Sequence, residues 1–178
     1  MNRGNRILGV LLIVGLITGA SLLGATPAKT DIEVYFSPKG GCTDAIVREL
    51  DKARGEVLVQ AFTITSSPIA QAISKAYARG VKVVVILDES QLTDHYSSAT
   101  YLSNHGVPCF VDGKHAIAHN KIMVIDDQTV ITGSFNFTVA AEKDNAENLV
   151  IMHRPELAAK YSANFKEHFK HSVPYKGS

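Results

Sequence analysis

Residues 119–138 read HNKIMVIDDQTVITGSFNFT. KIMVI (121–125) and TVIT (129–132) are short β-rich runs. Asp126, Asp127 and Gln128 between them supply turn chemistry, so the stretch predicts a hairpin. Side chains alternate between the faces of a strand, so His119 and Lys121 point the same way, as do Ser134 and Asn136. An imidazole and an ammonium aimed at one point suit a phosphate. Imidazole titrates near neutrality and serves as nucleophile or proton carrier, and lysine neutralises a phosphoryl oxygen as a point charge. The hydroxyl of Ser134 and the amide of Asn136 can donate hydrogen bonds to oxygens on which charge builds. Gly133 permits close backbone approach or an unusual dihedral.

Outward from the hairpin, strands and helices alternate. IEVYF (32–36) is a β-rich run broken by SPKGG (37–41). Residues 43–54 carry Ala45, Ile46, Leu50 and Ala53 at helical spacing, with Gly55 as a stop. VLVQAFTI (57–64) reads as a buried strand. Ser67-Pro68, a hydroxyl followed by proline, opens a helix that runs to Arg79 and ends at Gly80. VKVVVIL (81–87) is nearly all β-branched and suits a strand covered on both faces. A helix around 98–104 and a strand at 107–111 lead into the hairpin. Beyond it, ENLVIM (147–152) is a last strand, and Pro155 starts a helix with Leu157, Tyr161, Phe165 and Phe169 on one stripe. Alternation in the first half implies right-handed βαβ units, to which the hairpin adds antiparallel strands. The expected class is α/β: a mixed, mostly parallel β-sheet flanked by helices on both faces.

His119, Lys121, Asp126, Gly133, Ser134 and Asn136 together spell HxKxxxxD(x)6GSxN. This pattern resembles the signature of the phospholipase D superfamily, with every defining position filled, and the order of elements is similar across residues 31–178. The branch it most resembles is that of small bacterial endonucleases with one motif per chain. Larger members carry two motifs, so the resemblance implies a homodimer with a shared site. It implies that His119 of one subunit attacks phosphorus to form a phosphohistidine. The partner subunit's His119 then protonates the leaving oxygen and activates water. Lys121, Ser134 and Asn136 would bind the phosphate. Glu147 would accept the Nδ1 proton of the histidine ring, with Glu142 as competitor for that role. Asp126 and Gly133 would be structural. No metal or other cofactor is implied.

Bulk properties narrow the partners. The chain of 178 residues has a net charge of +1, with 46% hydrophobic and 20% charged residues, which fits a folded domain rather than a disordered chain. Arg3 and Arg6 stand in a first stretch of 25 residues that has no acid; without them acids outnumber bases by one. Nucleic-acid binding would then need charge gathered locally, with Lys39, Lys114 and Lys143 as candidates. Two arginines, an apolar run at 7–23 and small residues after it make 1–25 a signal peptide or an N-terminal membrane anchor. Residues 26–30 read as a linker and 31–178 as the phosphodiesterase domain. Both readings of the leader export the domain, to the periplasm, to the medium or to the outer side of the inner membrane.

Cys42 and Cys109 lie outside any CxxC motif and read as two small buried residues, with a disulfide left open. His115 and His119 have the i, i+4 spacing of metal ligands on a helix, but the run around them is β-like, which argues against one ion. His95, His105, His153, His168 and His171 read as ordinary histidines. Asp88 and Glu89, at a strand end, read as hydrogen-bonding or surface residues. The sequence leaves three functions in play. The first is a non-specific endonuclease on DNA, with RNA open. The second is a phospholipase D on phosphatidylcholine-type lipids, although no added loop is long enough for an acyl-chain pocket. The third is a non-catalytic nucleic-acid-binding module.

Overall fold

The computed structural model describes residues 31–176, so the expected leader and linker lie outside the described residues. In chain order the strands are β1 (Ile32–Ser37), β2 (Glu56–Ala61), β3 (Lys82–Asp88), β4 (Cys109–Asp112), β5 (Lys121–Ile125), β6 (Thr129–Gly133), β7 (Glu147–His153) and β8 (Val173–Pro174). The helices are α1 (Cys42–Lys52), α2 (Ser67–Ala78), α3 (Ala99–Asn104), α4 (Val139–Lys143) and α5 (Pro155–Phe169), with a 3-10 turn at Glu89–Leu92. No described helix is long and apolar enough to cross a membrane. All eight strands form one sheet in the order β1-β7-β6-β5-β2-β3-β4-β8.

The sheet is mixed and carries helices on both faces, as the sequence predicts, but its parallel share is smaller than expected. Five of the eight strands run one way, yet only β2–β3 and β3–β4 are parallel neighbours. The reason is connection length. Only α2 and α3 make crossovers between adjacent strands, and every other neighbour is reached by a reversal of direction. The β1–α1–β2 unit does not pair its strands. β1 lies at the sheet edge against β7, with β7, β6 and β5 between it and β2.

Strand alternation separates two cores. Val57, Val59, Met123 and Ile125 face α1 and α2 and join Ile46, Leu50, Ile69 and Ile73. Leu58, Ile86, Ile122 and Val124 face the other way and meet Ala158 and Phe165 of α5. Cys42 and Cys109 are both buried and unpaired. Burial pushes the Cys42 thiol up to about 11 and the Cys109 thiol up to about 12, so neither is a reactive thiolate.

The hairpin forms as expected. Asp126 (φ 55°) and Asp127 (φ 52°) turn with positive dihedrals that match strand twist, and Gln128 N–H donates to the Ile125 carbonyl at 3.0 Å within the three-residue loop. Glu142 of α4 accepts hydrogen bonds from Gly41 N–H (3.1 Å) and Thr43 N–H (2.7 Å), satisfying open donors at the start of α1. That employment removes Glu142 as a competitor of Glu147.

Candidate active site

Register gathers the motif. Ala61 pairs with Lys121, so β5 begins beside the end of β2. Met123 pairs with Ile131 and Gly133 with Leu149, so the end of β6 and the start of β7 lie at the same end of the sheet. His119, Lys121, Ser134, Asn136 and Glu147 therefore share one edge, where β2, β3 and β4 present their carboxyl ends. Ligands of open α/β sheets bind at such an edge.

Backbone anchors on both sides fix His119. The N–H of Ala118 donates to Asp88 Oδ2 at 2.7 Å, and the carbonyl of Asn120 accepts from Phe62 N–H at 2.7 Å. The His119 ring itself is exposed, 4.9 Å from the Phe62 ring at a tilt of 59°. Burial works against the Asp88 charge, but hydrogen bonds from Ser90 and Ala118 outweigh it and hold the carboxyl below its usual range. Asp88 thus stays ionised and keeps the loop before His119 in place.

Lys121 is only 7% exposed. Its Nζ donates to the His119 carbonyl at 2.8 Å and stands 5.3 Å from the Phe62 ring centroid. Among the described residues no carboxylate is in ion-pair contact with it. Burial lowers its pKa, with the Glu147 charge acting in the opposite sense. A desolvated ammonium without a bonded counter-ion is poised to take an anion. Ser134 Oγ accepts from Asn148 N–H (3.1 Å) and Nδ2 (3.2 Å), which leaves its own hydrogen free to donate outward. Asn136 Oδ1 is buried without a partner among the described residues. An amide's two ends exchange by a flip, so this position offers either an acceptor or a donor to a ligand.

Glu147 departs from expectation. Its N–H donates to Ser37 Oγ at 3.2 Å and its carboxylate accepts from Asn145 Nδ2 at 3.2 Å. No hydrogen bond joins it to the His119 ring among the described residues. The carboxylate, held by Asn145, acts on Lys121 through its charge instead.

Asp126 and Gly133 sit where structural residues should. Asp126 is at the far end of β5 from His119 and accepts from Arg54, Gly55 and Glu56 N–H at 2.9, 2.7 and 2.9 Å. Gly133 has φ +150°, and a Cβ there would meet Asn148 O at 2.3 Å, so only glycine lets β6 pass β7 this closely. His115 and His119 do not converge; His115 turns to Asp112. Sequence reading passed over one positioning residue, Phe62, and left Asp88 between a hydrogen-bonding and a surface role; it accepts from the Ala118 and Ser90 N–H groups. Asp88 had a faint signal as an acid at a carboxyl strand end, whereas Phe62 had none, being one apolar residue in an apolar run.

Comparison with known proteins agrees with this geometry. Residues 46–169 match the family described as cardiolipin synthase, PLD-like domain. The chain is 41% identical over 138 residues to a phospholipase D of Rickettsia typhi, covering 78% of this chain and 68% of that protein. Its fold superposes on Nuc of Salmonella typhimurium, a phospholipase D family member, with a TM-score of 0.78 and 33% identity, covering 82% of this chain and 98% of that one. NucT of Helicobacter pylori shares the fold, with a TM-score of 0.74 at 22% identity over 81% of this chain and 98% of that one. With the match covering well over half its length, and with the motif assembled on one sheet edge, the chain belongs to the phospholipase D superfamily and is a phosphoric diester hydrolase of that family.

Proposed function

We propose that the protein is a metal-independent, non-specific endonuclease that cleaves DNA through a phosphohistidine on His119 in a homodimer. The observation that carries this reading is the pairing of an exposed His119 ring with the buried ammonium of Lys121 on one side of β5. The ring can reach a phosphorus in solution, and the ammonium meets the charge that develops on its oxygens. Asn136 and Ser134 add donors from the segment just beyond the end of β6. In this scheme His119 Nε2 forms the P–N bond as the P–O bond to the leaving oxygen breaks. The partner subunit's His119 gives that oxygen its proton, then takes a proton from the water that cleaves P–N. Glu147 supports the Lys121 charge and becomes a partner for the histidine ring only if its carboxylate leaves Asn145. The likeness to Nuc over nearly all of that chain's length supports the nuclease reading.

A second reading, lipid phosphodiesterase, is favoured by the name of the Rickettsia relative. One set of assays separates the two: plasmid DNA, single-stranded RNA and phosphatidylcholine vesicles, each with excess EDTA and each with His119→Ala. The expected result is nicking of DNA in EDTA that vanishes in the variant. Choline release without DNA cleavage would replace the nuclease reading by the lipid one. DNA binding without cleavage of any substrate would favour a binding module.

A further inference from the structure

The ends of β4 and α5 meet in a side-chain cluster separate from the phosphate site. Asp112, fully buried, closes β4, and His115 follows in the next loop. His168 lies in the last turn of α5 and His171 just beyond it. Two short spacings, DxxH at 112–115 and HxxH at 168–171, thus converge from distant parts of the chain. His115 Nδ1, His168 Nδ1 and His171 Nε2 stand 3.0, 2.8 and 3.2 Å from Asp112 Oδ2. The four donor atoms all lie within 4.8 Å of one another.

Hydrogen bonding alone accounts poorly for this arrangement. Three imidazole nitrogens crowd one carboxylate oxygen that has two lone pairs. His171 Nε2 is buried and has no aligned hydrogen-bond partner despite its 3.2 Å approach. The other oxygen, Oδ1, accepts from Lys114 N–H at 3.1 Å and shares His115 Nδ1 at 3.1 Å, so both oxygens are already engaged and His171 is left over. A single cation between the four atoms would give each of them a partner.

We propose that Asp112, His115, His168 and His171 bind one Zn²⁺ as a structural site. Three borderline imidazole nitrogens completed by one carboxylate suit zinc, whereas calcium and magnesium prefer all-oxygen shells. Bonds of ~2.0–2.1 Å to a tetrahedral ion place its donors about 3.3 Å apart, close to the oxygen–nitrogen separations already present. The Lys114 N–H on Oδ1 is the outer contact that orients a ligating carboxylate. Four protein ligands close the shell, so the ion would hold structure rather than activate water. What it would hold is functional. It ties the end of α5 to the loop that leaves β4, whose residue 119 is the exposed histidine of the active site.

The test uses metal content and melting, so its failure and that of the nuclease reading are distinguishable. The purified chain is stripped with EDTA, freed of chelator, equilibrated with Zn²⁺ and desalted. The expected result is one zinc per chain and a melting temperature raised by several degrees. Co²⁺ in place of zinc should give the visible absorption of a tetrahedral ion. His171→Ala and His115→Ala should each weaken zinc binding by more than about 10-fold and abolish the melting shift, while His95→Ala keeps both. The His115 side chain is 44% exposed, against 15% for His168 and 21% for His171, so its variant folds even if those of His168 or His171 do not. Failure to retain stoichiometric zinc overturns the proposal, as does zinc retained at one per chain by the His115→Ala/His171→Ala double variant.

Discussion

Lys121 carries a charge into a place that water scarcely reaches, and Asp126 gathers three backbone donors at the opposite end of the same strand. The two residues divide the motif into chemistry and scaffold, and substitutions should separate these roles. Lys121→Met keeps the length of the side chain and removes a poorly solvated charge. Its melting temperature should equal or exceed that of the parent, while turnover on a diester falls by about 10²–10³-fold, the usual effect of losing one donor to a developing oxyanion. Initial rates beside thermal melts check both halves of this claim. Asp126→Ala should do the reverse, costing about 2 kcal/mol of stability, since hydrogen bonds to an ionised group are the strong ones. Its pH dependence has a definite sign. Burial opposes the Asp126 charge, but the N–H groups of Glu56, Gly55 and Arg54 prevail, so the folded carboxyl titrates below the unfolded one. The stabilisation is complete above the unfolded carboxylate range and disappears as pH falls through the lower folded value. Urea midpoints of parent and variant should therefore differ by a constant amount from pH 5 to 7 and converge in stronger acid.

At the level of elements, the β5–β6 hairpin is the part that local sequence specifies best. Its alternation, the Asp126-Asp127 turn and the motif spacing all lie within twenty residues, and the structure follows them closely. The α2 and α5 helices were equally legible, each opened by a proline at its first turn. Other features depend on partners remote in sequence. The edge place of β1 against β7, the short β8 and the one-turn α4 have little periodicity of their own. The same distance hid the partner of Asp88, Ala118 thirty residues away, and the convergence of His115 with His168 and His171. The mostly parallel expectation erred for a related reason: alternation of strands and helices predicts crossovers but not which strands become neighbours. Gly133 links elements to site. Its missing side chain lets β6 pass β7 so closely that Asn148 bonds Ser134. Gly133→Ala must force the two strands apart, so a loss of more than ~1 kcal/mol in stability is expected. Activity should fall together with it, because Ser134 and Asn136 move with the strand end. Denaturant titration and rate measurement on the same preparation would show whether the losses are coupled; a stable but inactive variant would confine the effect to the site.

For the whole molecule, the decisive question is how many chains one reaction needs. At the phosphate site a single chain places one imidazole, that of His119, while the proposed chemistry needs a nucleophile and a separate proton carrier. A carboxylate alternative at the same end of the sheet is Glu147, whose charge acts on Lys121 and whose carboxylate is bonded to Asn145. If two copies share a site, a subunit carrying His119→Ala disables the wild-type subunit paired with it. Equal amounts of the two chains, co-expressed so that they assemble at random, should then show about a quarter of wild-type activity per total protein, since only dimers of two intact chains work. If Glu147 supplies the proton within one chain, activity falls only to about a half, in proportion to the intact chains. Glu147→Gln sharpens the distinction. In the shared-site scheme it perturbs Lys121 and lowers the rate while the falling alkaline limb of the pH profile remains, because the partner's His119 still carries the proton. In the single-chain scheme it removes that limb altogether. A proportional dose response combined with loss of the limb would show that one copy suffices and would overturn the two-subunit mechanism while leaving His119 as the nucleophile.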